Sequence, residues 1–316
     1  MEPGALYNKL ALSSPYVEVM LRKLYWKNVK WLAKYKPYGA RVENKAEEMS
    51  ALDFEKIANY LKDNGVNKGS LIVVHSSYDK LKGSGLKPNE IIASLRELIG
   101  EEGTLAMPVI RRYKEYPKPS EWLKTDFSKI ECKYDPRRTP VTSGLLPSML
   151  MREKGAVVSM HPLNTMAAVG PLAQAMMAHN IDDEKPAPHG PNSSWKFCAD
   201  HNAIIVALGV PMVHHLTMAH VAEDCFEDWP YKDWYNDLRF NIVMPDKSIL
   251  TKTVRERKPQ WGLFYDAELN MENALNKAGI ITSTVIGEVP IGIMRSNELI
   301  SFLRNNKHKG FPYYKI

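Results

Sequence analysis

Thr217, His220 and Glu223 sit at three-residue intervals, and their side chains are of the types that together move a proton. On an α-helix, positions i and i+3 are neighbours, so the three would line one face as a polar stripe. A histidine accepts a proton near neutral pH, a carboxylate one turn on fixes its tautomer, and a hydroxyl can donate to a developing oxyanion. The chemistry implied is removal of a proton from a nucleophile. The competing reading is a surface helix with an incidental His/Glu pair, and the stretch alone leaves both open.

The elements that would position this stripe alternate along the chain. Hydrophobic spacing predicts helices over Asp53 to Asn64, Pro88 to Ile99, Gly144 to Met151 and Pro171 to His179. It predicts strands over Leu71 to His75, Thr104 to Ile110, Ala156 to His161 and, most clearly, Ala203 to Leu208, which Gly209 and Pro211 close. This order predicts an α/β fold: a layered domain with a central mixed sheet flanked by helices and its site on loops at strand ends. In the final third, Arg255 to Trp261 and Thr282 to Ile293 suggest an antiparallel extension over the sheet, and Ser296 to Arg304 a last helix.

Upstream, residues 15 to 37 place Val17, Met20, Leu21, Leu24, Trp31, Leu32 and Tyr35 at helical spacing among lysines, and Pro37 and Gly39 end the run. The expected organisation is a helical basic extension over 1–50 and one catalytic domain over 51–316. Arg22, Lys23, Lys27, Lys30, Lys34, Lys36 and Arg41 concentrate there much of a net charge of +6. Such an arm suits an acidic membrane surface or a phosphate-bearing substrate; docked on the main domain with its lysines in water, it would look the same.

The 316 residues are 44% hydrophobic, enough for a sizeable core. There is no apolar run of membrane-spanning length and no leader-like start, so a cytoplasmic protein is expected, with peripheral contact at the inner membrane surface through the basic arm. Cys132, Cys198 and Cys225 are widely spaced without a CxxC, which argues against a disulfide framework or a thiolate zinc site. No nucleic-acid partner is expected, and exposed Trp and Tyr side chains would allow a homo-oligomer.

Other groupings carry chemistry of their own. His75, Ser76 and Ser77 end a strand, and Gly83, Ser84 and Gly85 lead into the helix opened by Pro88, an arrangement that suits a phosphate or is a simple strand-to-helix turn. It has neither the GxGxxG nor the GK[ST] spacing of nucleotide folds. His214, His215, His220 and Glu223 lie close in sequence, but adjacent histidines diverge and no HExxH is present, so no metal is expected. Cys225 follows His220 by five positions, which turns the thiol away from the imidazole on one helix.

The order HSSYDKLKGSG, GEEGTLAMP, YDPRRTPVTSGLLP, SMHPLNTMAAVGPLA, HGPNSSW, LGV and TMAHVAE resembles the aminoglycoside 3-N-acetyltransferase (antibiotic N-acetyltransferase) family over Leu71 to Glu223. The resemblance implies transfer of an acetyl group from acetyl-coenzyme A to the amine of an aminated sugar, without an acyl-enzyme intermediate. It makes His220 the base, Glu223 its supporting carboxylate and Thr217 the matching hydroxyl. His75, Ser76 and Ser77 with Gly83, Ser84 and Gly85 then belong to coenzyme A binding. Asp135, Arg137 and Arg138 match the DPRRTP loop, where Arg138 would fork onto a phosphate or tie the loop to Asp135. Ser159, His161 and Thr165 match a further segment, with Ser159 assigned to the cofactor. Val158 stands there in place of an arginine, which removes one expected phosphate contact.

For the acceptor, Asp182, Asp183 and Asp224 are acidic groups suited to an ammonium, the first two in a loop that could equally be solvated. The basic balance of the whole chain points instead to an amino sugar on a nucleotide or lipid pyrophosphate, as in surface polysaccharide biosynthesis. An aminoglycoside-modifying enzyme of antibiotic resistance is the alternative within the same chemistry. A catalytically idle membrane-surface binding protein is the alternative outside it.

Overall fold

The computed structural model describes residues 52–117, 121, 125–225, 235–258 and 265–306, with isolated positions 17, 20, 21, 24 and 28. Val17, Met20, Leu21 and Leu24 are helical, and Asn28 is a turn residue whose N–H donates to Leu24 O; the rest of the basic helix expected over 15–37 lies outside the described residues. In chain order come helix α1 (Phe54–Asp63), strand β1 (Leu71–Ser76), the single turn α2 (Tyr78–Leu81), α3 (Pro88–Ile99) and β2 (Thr104–Pro108). Next are β3 (Glu131–Tyr134), α4 (Leu145–Leu150), β4 (Val157–Val158), β5 (Met166–Val169), α5 (Ala173–Met177) and α6 (Ser194–Asp200). Strand β6 (Ile204–Leu208) leads through two 3-10 turns, Met212–His215 and Thr217–Ala219, into α7 (His220–Cys225). The chain closes with β7 (Tyr235–Val243), β8 (Ile249–Arg257), α8 (Tyr265–Lys277), β9 (Thr282–Ile286), β10 (Val289–Arg295) and α9 (Ser296–Asn306).

The main sheet has seven strands in the order β4-β5-β2-β1-β6-β10-β9. Its centre is parallel, β1 pairing with both β2 and β6, while β5 and β10 run antiparallel on either side. β1 reads LIVVHS and is buried through His75 because both of its faces are covered. Alternate residues divide the core. Ile72, Val74, Leu105, Met107 and Val206 pack under α1, α3 and α4, while Val73, Ala106, Ala168, Ile205 and Ala207 face α5, α6 and α9. The second face is rich in alanine, and that gives room for Trp195 of α6, which is fully buried there.

A second sheet, β3-β7-β8, stands apart from the first. β7 and β8 form a long antiparallel hairpin, and β3 joins β7 in parallel with Cys132 opposite Phe240. Leu238, Phe240, Ile242 and Val254 bury one face of it against Tyr134, Leu163 and Ile181. The expected antiparallel extension is therefore two structures: this sheet, and the β9–β10 hairpin that completes an edge of the main one. The strand expected over Ala156 to His161 shrinks to Val157–Val158, because the chain turns inward at Ser159 to meet Asn180. Among the described residues no helix is long and apolar enough to cross a membrane.

β1 and β6, parallel neighbours, end together, and their carboxyl ends are where an open α/β sheet offers a crevice. Gly209 makes the exit from β6 feasible: its φ of +70° suits glycine, and a Cβ there would come within 2.8 Å of Lys80 Cβ.

Candidate active site

The turn Thr217–Ala219 runs straight into α7, so Thr217 stands one turn ahead of His220 and Glu223 one turn beyond. His220 Nδ1 lies 2.8 Å from Glu223 Oε2. An ionised carboxylate only accepts, so we assign the ring proton to Nδ1, which leaves the Nε2 lone pair available. His220 keeps 22% of its side-chain surface exposed against 4% for Glu223, so the base reaches solvent and its orienter does not. Thr217 is half-buried on the same approach.

A second histidine–carboxylate pair stands beside the first. Asp224 Oδ2 accepts from the His189 backbone N–H at 3.1 Å and faces His189 Nδ1 at 3.3 Å, and the His189 and His220 rings are 5.1 Å apart. The Tyr235 hydroxyl donates to Asp224 Oδ1. Arg257, at the end of β8 and paired across the hairpin with Tyr235, ties the two together. Its Nη1 comes within 2.9 Å of His220 Nδ1, a contact of two donors in the tautomer assigned above and so an electrostatic neighbour rather than a hydrogen bond; its Nη2 ion-pairs with Glu223 Oε2, and Asp224 Oδ1 is 3.7 Å away.

Burial alone would push both carboxyls up. For Glu223 the Arg257 guanidinium and His220 outweigh it and hold the group below the usual carboxylate range; His189, Arg257 and Tyr235 do the same, more strongly, for Asp224. Burial pushes His189 down to about 4 although Asp224 opposes it. Burial, then the nearby His215, push His75 down to about 3. Both are neutral imidazoles at physiological pH. Two ionised carboxylates facing one guanidinium leave the cluster with an excess of negative charge.

His75 and Ser76 end β1 at this edge of the sheet, their side chains on opposite faces. His75 packs against Trp195 and His215, with ring centroids 6.1 and 5.2 Å away. His75 Nε2, Ser76 Oγ and His189 Nε2 are buried with no hydrogen-bond partner among the described residues. Orphaned polar atoms at strand ends are costly in an empty fold, and they fit a site built for a polar ligand such as a thioester and its amide-rich arm. Ser77, half-buried, donates its backbone N–H to Leu208 O and starts α2.

Several expected residues have other duties. Ser159 is 1% exposed, and its hydroxyl donates to Asn180 Oδ1 at 2.5 Å and accepts from the His161 N–H, so its donor is spent on holding the fold. Asp224, expected to meet substrate, is buried and committed to His189, Tyr235 and Arg257; it supports the site from behind. The α3 N-terminus is not an anion cradle: Glu90 Oε2 accepts from the Lys87 N–H at 2.6 Å and puts a negative charge where a phosphate would sit. Ser84 Oγ is likewise used within its turn, on Leu81 O and the Leu86 N–H, while Gly83 and Gly85 shape that turn.

Arg138 is 89% exposed, on a loop held by Arg111, whose guanidinium donates to Pro136 O and Thr139 O. Asp182 caps His179 at the surface, and Asp183 accepts from Asn192; neither touches the His220 cluster. Arg257, His189 and Tyr235 escape sequence reasoning. His189 stands in the HGPNSSW motif with no chemistry marked by spacing, and Arg257 in a charged run that looks like a solvated strand end. Among the described residues no group of three or more His, Cys, Asp or Glu could hold a metal ion.

A sequence model of the aminoglycoside 3-N-acetyltransferase family matches residues 73–306. The chain belongs to that family. Aminoglycoside N(3)-acetyltransferase IX of Micromonospora chalcea is 30% identical over 190 residues, 56% of this chain and 66% of that protein. Aminoglycoside N(3)-acetyltransferase VII of Streptomyces paromomycinus is 32% identical over 176 residues, 53% and 59% of the two. The chain thus spans somewhat under two thirds of the length of these relatives. Among solved structures, AAC-IIIb in a binary complex with CoASH superposes with a TM-score of 0.65 at 21% identity, over 81% of this chain and 96% of that one. Aminoglycoside acetyltransferase AAC(3)-IIb gives 0.66 at 22% identity, over 84% and 99%. These likenesses establish the fold: an N-acetyltransferase of this family has the same layered α/β architecture.

Proposed function

We propose that the protein transfers an acetyl group from acetyl-coenzyme A to a primary amine of an amino sugar, with His220 as general base, Glu223 as its orienter and Thr217 as donor to the oxyanion. The observation that carries this reading is the His220–Glu223 contact of 2.8 Å, set beside the carboxyl ends of β1 and β6 in a chain of this family. A sugar ammonium has no lone pair, so it must first be neutral. As the amine nitrogen bonds to the acetyl carbon, its proton passes to His220 Nε2, the carbon–sulfur bond breaks, and the proton goes on to the departing thiolate. Glu223 stabilises the imidazolium formed on the way, and the excess negative charge of the cluster favours an incoming cation.

Residues 51–316 form the catalytic domain in this reading. His75, Ser76 and Ser77 hold the arm of coenzyme A, and Arg138, exposed and 4.0 Å from Asp135, would leave that loop pairing to reach a phosphate. The acceptor class supported by the relatives' names is an aminoglycoside. A second acceptor, an amino sugar on a nucleotide or lipid pyrophosphate, is favoured by the net charge of +6 and the basic segment that precedes the domain.

The test is thiol release from acetyl-coenzyme A across a panel of aminoglycosides and aminated nucleotide sugars. His220→Ala should lower turnover by on the order of 10²–10⁴-fold while acetyl-coenzyme A still binds. Undiminished turnover in that variant would remove His220 from the mechanism, and no turnover of any acceptor by the native chain would favour an idle binding protein.

A further inference from the structure

Arg257 occupies a position that the acetyl-transfer chemistry does not by itself require. It ends a strand of the second sheet, keeps 13% of its side chain exposed, and inserts one guanidinium between the carboxylates of two consecutive residues, Glu223 and Asp224. The same group approaches His220 on the nitrogen that faces Glu223. We propose that Arg257 is a positioning residue that sets the working pH of His220, by offsetting one of two buried negative charges that would otherwise hold the imidazole protonated. This inference rests on His220 being the base.

The charge balance gives the direction. Among the described residues, the charged and titratable groups in contact with the His220 ring are Glu223 from its own helix, His189 from the loop before α6 and Arg257 from β8; Asp224 stands behind them on His189 and Arg257, and Tyr235 of β7 on Asp224. Glu256 is the neighbouring carboxyl on the opposite face of β8, and His215 lies in the preceding turn. His189 and Tyr235 are neutral, so without Arg257 the imidazole would face two anions and no cation from this set. An imidazolium so surrounded keeps its proton to higher pH and cannot act as a base in the neutral range. With the guanidinium present the two carboxylates share one cation, while Glu223 still holds the Nδ1 proton and with it the tautomer. The low carboxyl of Glu223 is the same balance seen from its partner.

The experiment is an NMR titration of the His220 ring in the full chain, with the resonance assigned by its loss in His220→Gln. In Arg257→Gln, which keeps an amide donor but no charge, the titration midpoint should rise by roughly 1–2 pH units, the size expected for losing one charge about 4 Å away in a partly screened site. In Asp224→Asn, which removes an anion instead, the midpoint should fall. Arg257→Lys should return it close to the native value. A midpoint in Arg257→Gln equal to the native one overturns the proposal, as does a rise in Asp224→Asn if the first variant does not fold. Because the ring is observed without substrate, an inactive native protein would sink the proposed reaction and leave this result readable. Where activity is present, the acid limb of kcat/KM should move with the NMR midpoint, whereas a merely structural role would lower the plateau and leave the limb in place.

Discussion

At His220 the two ring nitrogens carry different duties, one donating to Glu223 and one left to accept, and the same division of labour bears on Ser76. Its hydroxyl is buried at the end of β1 with no partner among the described residues, so the folded protein gains nothing from it until a ligand arrives. Ser76→Ala should therefore raise KM for acetyl-coenzyme A by about 2–10-fold with kcat nearly unchanged, and leave the melting temperature equal or slightly higher. An unchanged KM together with a lowered melting temperature would make Ser76 a structural residue. The His/Glu/Thr stripe was legible from sequence because the three residues are local and their types are few. Arg257 was not, since what it does is decided by a hairpin that brings it back to residues more than thirty positions upstream.

Among the elements, α3 could be placed from sequence because it is long, periodic and opened by Pro88, and β6 because its unbroken apolar run IIVAL is closed by Gly209. β3 could not. It is four residues with only two buried, and its partner β7 lies about a hundred residues further on, so no local pattern marks the pairing. The second sheet also carries a testable strain. Glu256 of β8 has its Oε2 buried without a partner among the described residues, and burial pushes its carboxyl up to about 8. The folded protein thus holds a proton there that the unfolded chain, with an ordinary glutamate, gives up above pH 4.5. Stability from this group is accordingly greatest below about pH 4.5 and is lost progressively as pH rises through about 8. Glu256→Gln should remove that slope, and its advantage over the native chain at pH 8.5 should be on the order of 2 kcal/mol, less than a fully enclosed carboxyl would give. Parallel denaturant melts at pH 6 and pH 8.5 that show the same difference at both would refute it.

For the whole molecule, charge is unevenly distributed. The first fifty residues carry nine basic and five acidic side chains, so four of the six net positive charges precede residue 51. Deleting residues 1–50 should leave acetyl transfer within a few-fold of native and abolish sedimentation with phosphatidylserine-containing vesicles, an association that should itself weaken steeply with added salt. Equal sedimentation of the shortened chain, or none by the native one, would rule out membrane binding by that segment. The domain's architecture, by contrast, was accessible from alternation alone, because a parallel sheet covered on both faces forces apolar strands and amphipathic helices to take turns.

The completion of β6 by β10 bears on biosynthesis. On the ribosome, the peptide that contains His220 and Glu223 emerges well before Arg257, and before the strand that covers the open side of β6. Until Arg257 and then β10 emerge, β6 offers an unpaired hydrogen-bonding edge and His220 lacks its neighbouring cation, so a nascent chain exposes a sticky strand edge beside an unfinished charge cluster.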